Sequence, residues 1–519
     1  MIRYPLVFYV ATLPVAEGLK SVGYTERIAG TVNSDFDQLF ALRDDVENTV
    51  LYSPAAGKNY IYDEATSAWT TTTFAEIHGV AIDPASPNTE ATADITYAYV
   101  DGKTFICYSR VLKTGGTDAS ILFWNPVTKA LAPAGSLIAN LPFPAGEIDG
   151  ISSSNGYLIV YSDITVAWAA FNGTAFDFTI YSNGEFTGSG FQIPEDTQGK
   201  IKACIGLPGG FVIFTTKNAI AATYHAQSIA APWVFREVAG AGGIESYEQA
   251  TVEGSLGALI AYTTTGLQKV SLNSSEEAYP DVSDFIAGRY IERYSFGTQT
   301  LRQAAVALDF YTKITNIANR YLVVSYGTFP KIYSFALVYD LTLERWGKLR
   351  ILHRDCFYYT YGSTTADLTY AMLGDVNYNS PELTTYNSTA QQGNALVAAQ
   401  HGLAFLKSDG SVTIADWSSI DRDTEDDAVA VLGRIQLTRG SHVQLNRAEV
   451  EGLGSGRVYV QPSYNGRDLG AAEQLVDIET SNNYRIVGGL IDCKNFNLVI
   501  EGTFNLSTVI LEATTSGKV

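Results

Sequence analysis

Short apolar runs recur along the chain, each followed by a polar turn and a second apolar run. The two best copies begin at Gly210 and Gly257, and they are 47 residues apart. Looser copies begin at Gly156 and Gly402. Each copy predicts a strand, a tight turn and a returning strand. A hairpin that recurs about every 50 residues is typical of a radial β-array, most often a β-propeller.

A second hairpin pattern supports this interpretation. Asp63 stands six positions before Trp69, and Asp340 stands six positions before Trp346. Asn125 and Leu131 occupy the same places in a third copy. Asp and Asn open turns by accepting hydrogen bonds from nearby backbone N–H groups. We therefore predict three such hairpins, and we expect the side chains of Trp69 and Trp346 to be mostly buried.

Several other segments predict individual elements. Asp101-Gly102, between two strand-like runs, predicts a hairpin with a type I′ turn. Apolar residues at helical spacing predict one helix over residues 281–293. Further paired strands are predicted over the segments 157–176, 211–236, 257–271, 321–352 and 402–417. At about 50–60 residues per blade, the first ~420 residues hold about seven blades, although six or eight also fit.

The composition changes after the acidic stretch 421–427. We predict a β-propeller over residues 1–429 and a separate β-sandwich-like domain over residues 430–519. Short alternating strands are expected in that domain at 433–437, 447–452 and 457–460. The polar segment 374–395 is typical of an exposed loop that contacts partners.

Overall composition agrees with an all-β fold. The chain has 519 residues, of which 46% are hydrophobic and only 17% are charged, with 32 Tyr and 24 Phe. Aromatic and β-branched residues favour strands. The N-terminal run from Pro5 to Ala11, which follows Arg3, loosely resembles a signal peptide, but its short aromatic character favours a first strand. No apolar run has the length of a membrane-spanning helix, so membrane insertion is not expected.

The net charge of −20 is unevenly distributed. Residues 430–519 carry 8 Lys and Arg against 9 Asp and Glu, so residues 1–429 hold nearly all of the negative charge. An acidic protein repels phosphate, which disfavours nonspecific binding to nucleic acid. Solubility is the simpler explanation of the charge. The alternative is an acidic wall along which DNA passes without binding.

The sequence contains no motif for catalysis or for a cofactor. The four cysteines, Cys107, Cys204, Cys356 and Cys493, are far apart and predict buried free thiols. The five histidines have no metal-ligand spacing. Nucleophile elbows, phosphate-binding loops and dinucleotide fingerprints are absent from the sequence. The acidic stretch 421–427 lacks the glycine of a calcium loop, and Ser408–Trp417 is only superficially similar to a structural Asp-box hairpin. We therefore expect no enzyme activity, and no catalytic, metal-binding or cofactor-binding residues.

Two stretches carry a family resemblance. Arg320–Gly327 followed by Ala336–Leu349 resembles blade segments of the tail nozzle and DNA-stabilisation (hub) proteins of short-tailed bacteriophages. Trp233–Phe235, Gly242–Ile244 and Thr265–Leu267 are similar to consecutive blades of that family. The resemblance covers roughly residues 200–350. It implies a propeller with an added β-domain, used as a virion structural protein.

The resemblance also implies partners and a location. The protein would be made in the host cytoplasm and assembled in the virion tail, as a homo-oligomeric ring with a hexamer as the expected copy number. Tail adaptor and fibre proteins would be its neighbours, and DNA would pass through during ejection without specific binding. Two other classes stay open from the sequence. One is a glycosidase-like propeller enzyme that acts on polysaccharide, and the other is a propeller scaffold for protein interactions.

Overall fold

The fold was analysed in a computed structural model. It describes residues 6–10, 12–15, 18–21, 23–30, 36, 38–45, 49–55, 58–63, 68–86, 94–228, 231–253, 257–278, 293–296, 299–302, 311–327, 329–342, 345–361, 400–416, 428–435, 442–464, 473–478, 484–485 and 491–515. Within these ranges the chain is all-β. The helical elements there are one short helix, α1 (Phe74–His78), and two 3-10 turns, Ala134–Ser136 and Tyr247–Gln249.

The first part of the chain forms small antiparallel sheets. The N-terminal strands are β1 (Leu6–Val10), β2 (Thr12–Val15), β3 (Gly18–Ser21) and β4 (Gly23–Ile28). Sheet 1 contains β5 (Phe40–Arg43), β6 (Thr49–Ala55), β7 (Lys58–Asp63) and β8 (Ala68–Thr73). The strands up to residue 139 are β9 (Ile95–Val100), β10 (Lys103–Tyr108), β11 (Leu112–Lys113), β12 (Thr117–Asp118), β13 (Ile121–Asn125), β14 (Ala130–Pro133) and β15 (Ile138–Ala139). Sheet 2 consists of β9, β10, β13 and β14.

The next three sheets follow in chain order. The strands around sheet 3 are β16 (Gly150–Ser154), β17 (Tyr157–Ser162), β18 (Thr165–Ala170), β19 (Phe176–Asp177), β20 (Tyr181–Ser182), β21 (Glu185–Phe186) and β22 (Gly190–Gln192). Sheet 3 itself is β16, β17, β18 and β22. Sheet 4 contains β23 (Ile201–Leu207), β24 (Gly210–Thr215), β25 (Asn218–Tyr224) and β26 (Trp233–Gly242). Sheet 5 contains β27 (Ala250–Glu253), β28 (Ala258–Thr263), β29 (Gly266–Ser271) and β30 (Ser275–Glu277).

Two more four-stranded units follow the hairpin of β31 (Arg293–Phe296) and β32 (Gln299–Arg302). Sheet 6 is the run β33 (Tyr311–Ile317), β34 (Tyr321–Gly327), β35 (Tyr333–Asp340) and β36 (Arg345–His353). Sheet 7 contains β37 (Asp355–Tyr361), β38 (Gln400–Leu406) and β39 (Val412–Asp416), and β4 completes it from the N-terminal end of the chain. This last sheet therefore joins residues about 390 positions apart in the sequence.

The strands after residue 427 pair with one another and with the N-terminal strands. They are β40 (Ala428–Ile435), β41 (Val443–Ser463), β42 (Glu473–Ile478), β43 (Tyr484–Arg485), β44 (Ile491–Cys493) and β45 (Asn495–Thr515). β1 pairs with β40, β3 pairs with β45, and β2 contacts β36 through Thr12 and Lys348. Hydrogen bonding thus links both chain ends to sheet 6.

The core consists of apolar clusters that each join two consecutive sheets. The last cluster joins sheet 7 to sheet 1. Residues that share a cluster, in order from sheets 1 and 2 to sheets 7 and 1, are Val50 with Ile106, Phe105 with Leu158, Ile159 with Phe211, Phe214 with Leu259, Ile260 with Val324, Val338 with Phe405, and Leu406 with Leu51. Because burial of apolar surface is the main driving force of folding, these contacts arrange the sheets in a closed cycle.

The local turn predictions are confirmed where the structure describes them. Asp101 and Gly102 have φ values of 50° and 71°, the double positive φ of a type I′ turn, and they connect β9 to β10. Asn125 Oδ1 accepts hydrogen bonds from the N–H groups of Val127 and Thr128. Asp340 Oδ1 accepts one from the N–H of Thr342. The segments predicted as paired strands also pair.

The burial prediction is confirmed for Trp69. Its side chain lies on the outermost strand of sheet 1, packs against a buried apolar cluster, and has a buried indole nitrogen. Its ring packs against Phe36 and Tyr62, at centroid distances of 4.9 and 5.3 Å. The side chain of Trp346 lies outside the described residues. The sequence analysis missed α1, whose first turn has a capping box between Thr73 and Glu76.

Other predictions fall wholly or partly outside the described residues. They concern the helix at 281–293, of which Arg293 belongs to β31, the loop at 374–395 and the acidic stretch 421–427. In the C-terminal region, the short strands predicted at 447–452 and 457–460 form one strand, β41, because a bulge near Gly452 keeps the pairing continuous. The division at residue 429 and the sandwich-like packing stay predictions.

Candidate functional site

A buried charge network joins the starts of several sheets. The ammonium group of Lys313 lies 2.8 Å from Asp355 Oδ1 and 3.5 Å from Glu248 Oε1. The hydroxyl of Tyr333 donates to Glu248 Oε2 at 2.9 Å. The side-chain amide of Gln38 donates to Glu248 Oε1 and to the hydroxyl of Tyr247. The network places one cation between two carboxylates, and all three side chains are buried.

Backbone geometry explains why these side chains meet. Lys313 is on the first strand of sheet 6, and Asp355 begins the first strand of sheet 7. Glu248 stands in the 3-10 turn before sheet 5, and Gln38 stands just before sheet 1. Each residue is near the beginning of the first strand of its sheet. Several of these first strands, which we call the inner strands, contact the first strand of the next sheet. The backbone N–H of Leu39 also donates to Asp355 Oδ2 at 2.8 Å, which connects sheet 1 to sheet 7.

Burial controls the protonation of the network. It raises the pKa of Asp355, although Lys313 partly offsets the effect. Burial lowers the pKa of Lys313, but the nearby Asp355 and Glu248 carboxylates outweigh it and raise that pKa overall. Lys313 therefore stays charged at neutral pH. Removing either partner would leave an uncompensated charge in the interior, which is a large penalty.

A serine–histidine pair lies beside this network. His353 Nε2 is 2.8 Å from Ser325 Oγ, and His353 Nδ1 is 2.8 Å from the carbonyl oxygen of Ile351. This arrangement has the spacing of a nucleophile and a base. However, both side chains are only 1% exposed, so a substrate cannot reach them in this structure. Burial lowers the pKa of His353 to about 4, which keeps the ring neutral.

The cysteines and the other histidines considered in the sequence analysis lie on different elements and connections of the structure. All four cysteines are buried thiols outside disulfides, which confirms that prediction. His78 ends α1, and burial together with Lys113 lowers its pKa to about 4. His225 is exposed on the connection after β25. Among the described residues, no group of three His, Cys, Asp or Glu side chains is placed to hold a metal ion.

An open groove of about 420 Å³ lies at the other end of the inner strands of sheets 2, 3 and 4. Tyr99, Asp101, Ser153, Asn155 and Pro208 are among its lining residues. Asp101 pairs with Lys103 at 3.2 Å. The sequence analysis marked this place only through the Asp101-Gly102 turn and the hairpin copy that begins at Gly156.

In the described part of the chain, no helix is long and apolar enough to cross a membrane. No model of a known protein family matches the sequence, and no curated protein matches it.

Two solved structures show distant similarity. An extracellular domain from B. thetaiotaomicron is 11% identical with a TM-score of 0.36, and the match covers 89% of this chain and 49% of that one. This chain therefore spans about half the length of that protein. A chain of the mitotic checkpoint complex is 7% identical with a TM-score of 0.35, covering 76% of this chain and 95% of that one. Neither similarity is high enough to assign a fold or a function.

Proposed function

We propose that this chain is a structural protein of a bacteriophage tail, in which several copies form a ring around the path of the DNA. Each copy would be a seven-bladed β-propeller with an added β-rich unit. The resemblance of Arg320–Gly327 and Ala336–Leu349 to nozzle and hub proteins suggested this role. The role requires a rigid scaffold and no covalent chemistry.

The closed cycle of apolar clusters is the observation that carries the proposal. Each cluster joins one four-stranded sheet to the next, and the last joins sheet 7 to sheet 1. The N-terminal strand β4 is hydrogen-bonded to β39 and completes sheet 7, so one sheet contains strands from before and after the other six. Closure of this kind removes free ends from a radial array and makes it rigid. A rigid disc suits a component that holds its shape during DNA passage.

The chain ends support the second part of the proposed architecture. β1 pairs with β40, and β3 pairs with β45. Each pair joins the N-terminal end of the sequence to its C-terminal end. We infer that these N-terminal strands belong to the added β-rich unit, together with the strands after residue 427. That unit would be tied to the propeller at sheet 6, where β2 contacts β36.

Charge supports passive transit of DNA. The chain has a net charge of −20, and residues 1–429 hold nearly all of it. DNA binding depends mainly on cations that replace counterions along the phosphates. A strongly acidic protein has an unfavourable long-range field for DNA. DNA would therefore pass this protein without being held.

Mass measurement and electron microscopy test the ring. Purified protein should give a mass several times that of the 56.2 kDa chain, and images should show rings with a central opening. A protein that stays monomeric at all concentrations would remove the main support for a tail-ring role.

A DNA titration tests the passive conduit separately. We expect no shift of duplex DNA at about 50 mM salt, where electrostatic binding is strong. An acidic protein of similar size is the negative control and a known DNA-binding protein the positive one. Tight binding that weakens steeply with salt would contradict the passive role and would point to an arginine surface around Arg434, Arg439 and Arg447.

A further inference from the structure

Large apolar side chains are exposed on a short stretch beside the outermost strand of sheet 3. Tyr181, Phe186, Phe191 and Ile193 are 57%, 43%, 51% and 53% exposed. We call these four residues the aromatic strip. Scattered exposed apolar residues are normal on proteins, but four within thirteen positions form a concentration.

The strip stands on a well-anchored hairpin. β20 and β21 pair directly, with Tyr181 opposite Phe186 and their ring centroids 4.5 Å apart. Asn183 and Gly184 turn the hairpin, with φ values of 53° and 85°. At its base the indole N–H of Trp168 donates to the carbonyl oxygen of Gly188 at 3.1 Å. The aromatic pair is therefore held in place before any partner arrives.

A preorganised aromatic pair is typical of a protein interface. Tyr and Phe are enriched at the centres of interfaces, where they bury much area and lose little entropy. The surrounding charge is one-sided. Residues 177–199 contain Asp177, Glu185, Glu195 and Asp196, and no Lys or Arg. A partner surface should therefore combine exposed apolar groups with positive charge.

Sheet 6 of the same chain has that combination. Lys331 and Arg354 are partly exposed at one end of this sheet, where Arg354 Nη1 donates to the carbonyl oxygen of Lys331 at 3.1 Å. Phe329 and Leu352 are 64% and 62% exposed. They lie at the same end of sheet 6, because the turn that contains Phe329 leads into β35, whose Tyr333 pairs with His353 of β36.

The two surfaces belong to different sheets of the cycle. Two sheets separate sheet 3 from sheet 6 in one direction, and three separate them in the other. They are therefore on nearly opposite sides of one molecule and cannot satisfy each other within it. Two different complementary surfaces on one molecule produce head-to-tail contacts, and such contacts give rings when the rotation closes.

We propose that the aromatic strip of one copy docks against the exposed Phe329 and Leu352 surface of sheet 6 in the next copy. This inference rests on the proposed ring-forming function and specifies its contact. Apolar groups supply the affinity, and the exposed Glu185, Glu195 and Asp196 on one side and Lys331 and Arg354 on the other select the orientation. The occupant is a second copy of this chain.

Two surface variants test the contact. Tyr181→Ser with Phe186→Ser removes the aromatic pair, and Phe329→Ser alters the opposing surface. Each should raise the concentration for half-assembly by about tenfold or more, since central aromatic residues dominate binding. Val127→Ser is the matched control, because Val127 is 69% exposed on a turn of sheet 2. Analytical ultracentrifugation gives the assembly state, and circular dichroism checks that every variant is folded.

Mixing the two variants gives the sharpest result. The hairpin variant keeps its sheet 6 surface, and Phe329→Ser keeps its aromatic strip. The mixture should form a one-to-one dimer and nothing larger, because the dimer has no further intact pair of surfaces. Wild-type rings that survive both variants, or variants that form no dimer when mixed, would overturn this contact and leave the ring proposal standing. A wild type that never assembles would overturn both.

Discussion

Sheets 2, 3 and 4 meet near their inner strands in a different way from sheets 5, 6 and 7. In the first group, the Ile151 N–H donates to Thr96 Oγ1 and Ser153 Oγ donates to the carbonyl oxygen of Tyr99, both at 2.9 Å. Gly206 approaches the backbone of Ser153 so closely that a methyl group there would collide with it. In the second group, Lys313 lies between Asp355 and Glu248.

The difference shows two physical solutions to the same packing problem. Close backbone contact needs small residues and tolerates little added volume. A buried charge network lets the backbones stand further apart, but it requires every charged partner to be present. Substitutions between sheets 2, 3 and 4 should therefore change stability through side-chain volume. Substitutions between sheets 5, 6 and 7 should change it through charge and pH.

The largest effect is expected at the charge network. Lys313→Met should destabilise the fold by about 3–5 kcal/mol, because two carboxylates lose their buried cation. Denaturant unfolding measures the change. Lys200→Met is the control, since Lys200 is largely exposed and its pair with Asp163 should contribute less than about 1 kcal/mol. Equal effects of the two variants would contradict the account of the network.

A smaller loss is expected on the close-packed side. Gly206→Ala should cost about 2–3 kcal/mol, because the clash is with backbone and forces the inner strands of sheets 3 and 4 apart. Gly135→Ala is the control, since a side chain there meets nothing within 4 Å. Unfolding of both variants at pH 7.5 makes the comparison. A neutral Gly206→Ala would show that the inner strands do not touch.

Acid should lower the stability of the protein through His353, which lies on sheet 6. Its pKa is about 4 in the folded protein against an ordinary 6.5, so the unfolded chain takes up the proton first. Stability is complete above pH 6.5 and falls as the pH drops toward 4, by roughly 2 kcal/mol at pH 5. Asp355 has a raised pKa and acts in the opposite direction, which partly masks the effect.

The variant His353→Gln separates these two contributions. Glutamine does not titrate, so the change in stability between pH 7.5 and pH 5 should be about 2 kcal/mol less unfavourable than in the wild type. Unfolding curves at both pH values for wild type and variant provide the measurement. Identical pH dependence would place His353 in an environment that does not shift its pKa.

The smallest effect is expected at a single hydroxyl. Ser153→Ala removes the hydrogen bond to the carbonyl oxygen of Tyr99 and should cost about 0.5 kcal/mol, since this site is exposed and water replaces the donor. Thermal unfolding at one pH is sufficient. A loss above about 2 kcal/mol would mean that polar contacts, and not close packing, hold sheets 2 and 3 together.

The hairpins could be predicted from the sequence because their signals are local. Asp101-Gly102 and Asn125 determine turns within a few residues, and the structure has those turns. The charge network could not be predicted, because Gln38 and Glu248 are 210 positions apart and contact each other only after the cycle closes. Neither residue lies in a motif. The aromatic strip was also missed, since Tyr181 and Phe186 match any strand pattern and only their exposure distinguishes them.

A reconstruction of the purified protein by cryo-electron microscopy tests the central proposal most directly. Each subunit should show seven four-stranded sheets around one axis, with Gly23–Ile28 completing the last sheet, and the subunits should form a ring with an open centre. Single subunits at every concentration, or an array whose first and last sheets do not meet, would contradict it.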